Sequence, residues 1–123
     1  MKSNILISIH PEYVDKIING KKKYEFRTKV AKRDIDRLII YSTYPTKKII
    51  AEAKVIGIVF DSPDNLWKKT KDFAGVDKEY FDLYFKNRNI AYAYELGEIK
   101  VYETPKELND LGFQYAPQSF VYL

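Results

Sequence analysis

Residues 3–27 read SNILISIHPEYVDKIINGKKKYEFR and contain three segments, of which the outer two alternate every second residue and the middle one has a helical period. Ser3–Ile9 alternates isoleucines with other residues, which predicts a strand with one fully buried face. Pro11 suits the first turn of a helix, and the apolar stripe that follows it ends at Gly20. Lys23–Thr28 alternates again, which predicts a strand with one charged face. The stretch therefore predicts a strand, a helix and a second strand in succession.

The rest of the chain predicts more strands, interrupted by short amphipathic helices. The predicted strands are 37–42, 47–61, 90–96 and 118–123, with 99–102 as the continuation or the hairpin partner of 90–96. The predicted helices are 63–73, 77–86 and a short one that starts at a capping box of Thr104, Pro105 and Glu107 and ends at Gly112. Alternation slips near Gly57, which is typical of a bulge or a barrel bend. We expect one α+β domain over residues 1–123, a small mixed β-barrel of about six strands with short helices around it.

The composition excludes several classes of protein. The 123 residues include no Cys and one His, which excludes a disulfide scaffold, a thiolate nucleophile and His-rich or Cys-containing metal sites. The five glycines are widely spread, so no phosphate-binding glycine loop is available. We therefore expect no metal and no cofactor. The longest apolar run near the N-terminus, Ile5–Ile7, is far shorter than a signal-peptide core or a membrane span, which predicts a soluble cytoplasmic protein without a membrane partner.

Basic residues are concentrated between positions 21 and 33. Glu25 is the only acid within this segment, which predicts a polyanionic partner such as nucleic acid. The alternative is a solvated basic loop that keeps the protein soluble. The candidate phosphate-backbone contacts are Lys21, Lys23, Lys29, Lys32 and Arg33. The 11 tyrosines suit either a small core or base stacking, and those of the helical insertion 62–88, Tyr80 and Tyr84, leave open whether the chain is a monomer or a weak homodimer.

Three charged residues of the second strand and the turn before it are the candidate site. Glu25 and Arg27 are two residues apart, so their side chains share one face at about 7 Å and either converge on one ligand or pair with each other. Lys22 has the opposite strand parity and joins them only if it lies in the turn just after Gly20. His10 directly precedes a helix-starting proline, a position that favours a capping role over proton transfer.

Residues 20–27, GKKKYEFR, match the G-x-K-x-x-E-x-R signature of ASCH domains, and the chain resembles a small stand-alone member of that family. The resemblance continues through residues 40–53 and 116–123. It implies a PUA-like β-barrel that binds RNA or a nucleotide in a cleft beside the signature strand. In such a cleft Lys22 and Arg27 would hold a phosphate or carbonyl, and Glu25 would accept a hydrogen bond from a base amine. The other residues expected there are Tyr41, Ser42 and Thr43 on the opposite wall, and Gln118 and Ser119, which either complete the cleft or cap the last strand.

The resemblance also implies two alternatives to RNA or nucleotide binding. One ASCH subgroup contains amidohydrolases that remove the acyl group from N4-acetylcytidine with a Lys, a Thr and a Glu. Lys22 matches that lysine, but the position of the Thr is Glu25, so the hydroxyl is absent and catalysis would fall to Lys22 and Glu25. Glu52 could serve as the remote carboxylate, although its place on a strand favours a solvent-facing role. The other alternative is a regulatory module that binds a protein.

Overall fold

The computed structural model describes residues 1–123 as one six-stranded sheet with three α-helices. The strands are β1 Ser3–Ile9, β2 Tyr24–Arg27, β3 Ile35–Ser42, β4 Lys48–Asp61, β5 Ala91–Lys106 and β6 Phe120–Tyr122. The helices are α1 Pro11–Ile18, α2 Pro63–Thr70 and α3 Lys78–Tyr84, and two short 3-10 helices cover Lys71–Phe73 and Leu108–Leu111. The predicted α+β class is confirmed. No helix is both long and apolar enough to span a membrane.

The strand order is β2-β5-β4-β3-β1-β6, so β2 and β6 are the two edges of the sheet. β1 and β3 pair in parallel, and the other neighbouring pairs are antiparallel. The β4–β5 register shifts twice between Ala53 and Gly57, in agreement with the predicted bulge. Bulges bend a strand and increase its twist, so the long β4 and β5 curl the sheet into a half-barrel. As a result, the edge strand β2 approaches β1 and β6 across an opening that we call the seam.

Three apolar clusters pack against the curled sheet, and the two largest fill the half-barrel and attach the helical insertion. The interior of the half-barrel is filled by side chains that are fully buried, among them Ile5, Ile7, Leu38, Ile40 and Tyr94. The helical insertion packs through a second cluster, in which the Phe26 ring of β2 contacts the Phe81 ring at a centroid distance of 5.1 Å. Each buried aromatic of this kind contributes roughly 1.5–3 kcal/mol to stability. The insertion is therefore attached firmly beside β2.

The region after residue 96 differs from the sequence prediction. Residues 99–102 continue β5 rather than forming a hairpin partner, since the strand runs unbroken to Lys106. The capping box predicted at Thr104–Glu107 is wrong, because cross-strand pairing extends to Lys106 and keeps these residues extended. Glu107 and Asp110 form the actual capping box of a 3-10 helix, which ends at Gly112 with a φ of 83°.

Candidate functional site

A cavity of about 180 Å³ opens at the seam, between the signature strand β2 and the helical insertion. Its charged lining residues are Lys22, Glu25 and Arg27, and its tyrosine wall is formed by Tyr13, Tyr80 and Tyr84. The structure thus brings the three charged residues singled out in the sequence to one concave surface. Lys22 reaches the same surface as Glu25 and Arg27 because it lies in the turn at the end of α1. In this turn Gly20 has a φ of 82°, and the Lys22 amide donates to the Lys16 carbonyl.

Lys22 is a buried cation that contacts a main-chain carbonyl and a carboxylate. Its side chain is 2% exposed, its Nζ donates to the Ala74 carbonyl at 2.8 Å, and Glu25 Oε1 lies 3.8 Å away. The pKa of Lys22 is lowered to about 8, mainly by burial; the negative charge of Glu25 opposes this shift, and the positive charges of Arg27 and Lys16 contribute to it. An ammonium carries three N–H donors, of which Ala74 takes one. Lys22 therefore keeps a donor available to a ligand in the cavity.

Arg27 is committed to partners within the chain. Its Nε and Nη2 donate to Glu25 Oε2 at 3.1 and 2.9 Å, and Nη2 also donates to the Ser8 carbonyl at 2.8 Å. Its Nη1 donates to Ser119 Oγ at 3.3 Å. Of the two outcomes considered in the sequence, Glu25 and Arg27 pair with each other. Since Ser8 belongs to β1 and Ser119 precedes β6, the guanidinium also joins the two edges of the sheet across the seam.

Glu25 presents one free acceptor to the cavity. Its Oε2 accepts both hydrogen bonds from Arg27, while its Oε1 accepts none within the chain. No buried side-chain oxygen or nitrogen lacks a partner, so Oε1 is reachable from the cavity rather than sealed in the core. The cavity therefore offers an acceptor, Glu25 Oε1, next to a donor, Lys22 Nζ.

The tyrosine wall faces these groups from α1 and α3. The Tyr13 and Tyr80 rings lie 5.6 Å apart, and the Tyr80 and Tyr84 rings are 6.1 Å apart and nearly parallel at 8°. Burial, followed by the neighbouring Tyr80, raises the pKa of Tyr13 to about 12, and burial also raises the pKa of Tyr80 and Tyr84, so the hydroxyls stay neutral. The sequence did not indicate Tyr13 as a site residue, and it related Tyr80 and Tyr84 to a possible homodimer rather than to the cleft. Their i,i+4 spacing predicts a shared helix face but not what that face covers.

Some of the residues expected in the cleft lie elsewhere. The expectation that Tyr41, Ser42 and Thr43 form the opposite wall is wrong, because none of them lines the cavity. Tyr41 packs in a separate apolar cluster and lines a different cavity, and Ser42 is buried at the end of β3. The Thr43 amide donates to the Ile9 carbonyl, so the backbone at the end of β3 is hydrogen-bonded to the end of β1.

The remaining candidates divide between the cavity and the rest of the fold. Gln118 lines the cavity. Ser119 does not line it, but its Oγ accepts a hydrogen bond from Arg27 and its carbonyl accepts one from the Ser8 amide. His10 occupies the predicted N-cap position of α1 but makes no side-chain capping bond, and it lines the cavity. Glu52 is remote: it accepts from the Tyr102 hydroxyl at 3.1 Å and pairs with Arg37.

The five candidate phosphate contacts are all exposed but do not form one patch. Lys23 lies over the Phe73 ring at 4.4 Å, and Arg33 lies over the Tyr122 ring at 4.1 Å. Lys29 and Lys32 line a groove of about 550 Å³ beyond the end of β2, and Lys21 is exposed after the end of α1. The five residues therefore lie against different parts of the fold, and of them only Lys29 and Lys32 line this groove.

The sequence and the fold of the chain are similar to those of a known family. The ASCH domain family model matches residues 7–105, which is most of the chain. The chain belongs to the ASCH domain family. The crystal structure of ASCH from Zymomonas mobilis superposes on this ASCH domain with a TM-score of 0.88 at 30% identity, over 98% of this chain and 87% of that one. The expected PUA-like architecture is thereby confirmed.

Relatives of this ASCH domain occur in proteins of different names. An ASCH domain-containing ribonuclease of Zymomonas mobilis is 30% identical over 96 residues, which are 77% of this chain and 65% of that protein. An ATP synthase subunit alpha of Ureaplasma parvum is 26% identical over 124 residues, 99% of this chain and 15% of that protein. A large ribosomal subunit protein uL22 of the same organism is 24% identical over 120 residues, 97% of this chain and 39% of that protein. The chain therefore spans only a minor part of these Ureaplasma relatives.

The buried lysine of the ASCH cavity predicts a pH-dependent stability. Because the pKa of Lys22 falls from 10.5 to about 8 on folding, the unfolded chain holds more protons between these values, so the free energy of unfolding rises with pH across this window. The whole window corresponds to on the order of 3 kcal/mol. Denaturant titrations between pH 7 and 9 measure the slope below the range in which the tyrosines of the unfolded chain titrate. The Lys22→Met variant should lose this slope, and an unchanged slope would contradict the assignment.

Proposed function

We propose that this ASCH domain binds RNA by taking one unpaired base into the cavity at the seam. The observation that carries the proposal is the pairing of a free acceptor, Glu25 Oε1, with an available donor, Lys22 Nζ, beside three tyrosine rings. A base edge presents an amine next to a ring nitrogen or carbonyl, so it matches this donor and acceptor arrangement. The tyrosine faces suit the flat surface of the base.

The size and rigidity of the cavity support a small occupant. Its volume of about 180 Å³ is below the range of roughly 300–1,000 Å³ that is typical of pockets for larger ligands, so a single base is the appropriate scale. Arg27 acts as a positioning residue, because two of its N–H groups converge on Glu25 Oε2 and leave Oε1 free to accept from a ligand. The name of the Zymomonas relative, a ribonuclease, supports RNA as the class of ligand.

We expect the domain to prefer cytidine over uridine, because Glu25 accepts a hydrogen bond from an exocyclic amine, which uracil lacks. The difference should be about tenfold in affinity between short oligocytidylate and oligouridylate, measured by fluorescence anisotropy. The Glu25→Gln variant should lose most of this preference, and the Lys22→Met variant should bind both oligonucleotides at least tenfold more weakly.

The matched controls remove a charge of the same sign outside the cavity. Lys100 is exposed on β5, and Glu52 lies on β4, so Lys100→Met and Glu52→Gln should keep the affinity and the cytidine preference. Equal binding of both oligonucleotides by the unmodified domain, together with normal binding by Lys22→Met, would reject the base-binding cavity.

Hydrolysis in the same cavity is a second candidate, and the pKa of about 8 at Lys22 favours it. Neutral Lys22 would take the proton of an attacking water or ribose hydroxyl while the oxygen of that group bonds to phosphorus or to an acyl carbon. The bond to the departing oxygen or nitrogen would then break, and the Lys22 ammonium would return the proton to the departing atom. End-labelled RNA and N4-acetylcytidine test the two substrate types. Product that forms with the unmodified domain and disappears with Lys22→Met would establish turnover, and its absence for both substrates would restrict the cavity to binding.

A further inference from the structure

A basic groove begins where the cavity ends. The groove has a volume of about 550 Å³ and runs between the chain that follows β2 and the segment that joins α3 to β5. Its cations are Lys29, Lys32 and Arg88, all three exposed, and no acidic residue lines it. None of the three forms an ion pair within the chain. Three uncompensated cations in one concavity are suited to a polyanion.

The groove is continuous with the cavity through two neighbouring positions. Arg27 lines the cavity, and the next residue, Thr28, lines the groove. The backbone of Thr28 also contacts the hydroxyl of Tyr84, which belongs to the tyrosine wall. Arg88 follows Tyr84 by four residues and lies on the groove side. The cavity and the groove therefore meet at the step from Arg27 to Thr28 and at the contact between Thr28 and Tyr84.

The groove also offers aromatic and apolar surface. Tyr92 lines it, and the Tyr92 ring lies 6.0 Å from the ring of Phe60, which is 61% exposed on β4. Large exposed aromatics beside unpaired lysines and arginines are typical of surfaces on which bases stack while their phosphates are neutralised. A single-stranded nucleic acid satisfies both features, whereas an acidic peptide uses only the charges.

We propose that this groove binds the nucleotides that flank the base held in the cavity, with Lys29, Lys32 and Arg88 contacting their phosphates. The inference rests on the proposed function and adds a second subsite to it. Binding then extends over several nucleotides, and its affinity increases with the length of the RNA. Each phosphate contact adds about 0.7 to the slope of log affinity against log salt for a single strand, so the three cations together account for a slope of about 2.

The experiment compares cytidine monophosphate with octacytidylate for two triple variants. The groove variant carries Lys29→Gln, Lys32→Gln and Arg88→Gln. The control variant carries Lys68→Gln, Lys71→Gln and Lys100→Gln, which remove the same charge from exposed positions that lie outside both the cavity and the groove. Calorimetry or anisotropy over a range of salt concentrations gives the affinities and the salt slopes.

We expect the ratio of octanucleotide to mononucleotide affinity to fall at least tenfold in the groove variant and its salt slope to decrease by about 2. The control variant should keep the ratio of the unmodified domain. Equal losses in both variants, or an octanucleotide that binds no better than the mononucleotide, would overturn the groove. The unmodified domain could also bind the octanucleotide through the groove but fail to bind the mononucleotide. That result would contradict base binding in the cavity and support phosphate binding in the groove.

Discussion

Replacing Arg27 with methionine is expected to lower the free energy of unfolding by about 3 kcal/mol. The variant loses two hydrogen bonds to Glu25 Oε2, one to the Ser8 carbonyl and one to Ser119 Oγ. The Glu25 side chain is only 9% exposed and would keep a single cationic partner, Lys22, at 3.8 Å. A largely buried carboxylate without its hydrogen-bond partner is costly, and the seam also loses the contact that joins its two edges. Urea titration followed by circular dichroism measures the change.

Arg37 provides a matched control for this substitution. Arg37 is likewise an arginine on a strand that pairs with carboxylates, those of Asp36 and Glu52, but each contact is 3.8 Å long and its side chain is 30% exposed. Solvent screening makes such pairs weak, so Arg37→Met should cost less than about 1 kcal/mol. Adding both Glu25→Gln and Lys22→Met to Arg27→Met should recover part of the lost stability, since no buried charge of the cluster then remains unpaired. Equal costs for the Arg27 and Arg37 variants would show that the Glu25–Arg27 pair is no more stabilising than a surface pair.

The Gly75→Ala substitution should destabilise the fold and displace Lys22. Gly75 has a φ of 70°, and an added Cβ would lie 2.4 Å from Cβ and 2.6 Å from Cγ of Lys22. The backbone conformation costs a non-glycine residue roughly 1–2 kcal/mol, and crowding a packed side chain typically adds 1–3 kcal/mol. Because Ala74 accepts the Lys22 hydrogen bond, any shift of this loop also moves the cation. We expect a total loss of about 3 kcal/mol and at least a tenfold loss of oligocytidylate affinity.

Gly112→Ala separates the two contributions. Gly112 has a similar φ of 83°, but nothing lies within 4 Å of an added Cβ, so only the backbone cost remains. The difference in unfolding free energy between Gly75→Ala and Gly112→Ala therefore measures the cost of the contact with Lys22. Only Gly75→Ala should reduce the increase in the free energy of unfolding above pH 8. If both variants lost the same stability and both bound oligocytidylate normally, the loop at Gly75 would not position Lys22.

Local patterns in the sequence predicted the elements that carry the signature. The predicted strand Ser3–Ile9 matches β1 at both ends, because an alternating isoleucine pattern and a following proline are both local signals. The sequence also predicted the turn at Gly20, since a glycine at the end of a helix commonly adopts the left-handed backbone conformation. The helix start predicted at Thr104–Glu107 was wrong, because pairing with β4 keeps this segment extended despite its local helix-start pattern.

The chain order alone determined that Lys22, Glu25 and Arg27 lie close together, because they are separated by at most five residues around one turn. Which residues face them was decided only by the tertiary structure. The strand order places β2 at an edge opposite β1 and β6, so Ser8, Ser119 and the tyrosines of the insertion meet the signature, whereas Tyr41 on β3 packs elsewhere. The pKa of Lys22 has the same origin, because the desolvation that lowers it comes from the Ala74–Gly75 loop and from Tyr13 and Phe26. Hydrophobic periodicity reports which face of an element is buried, but not which distant element buries it.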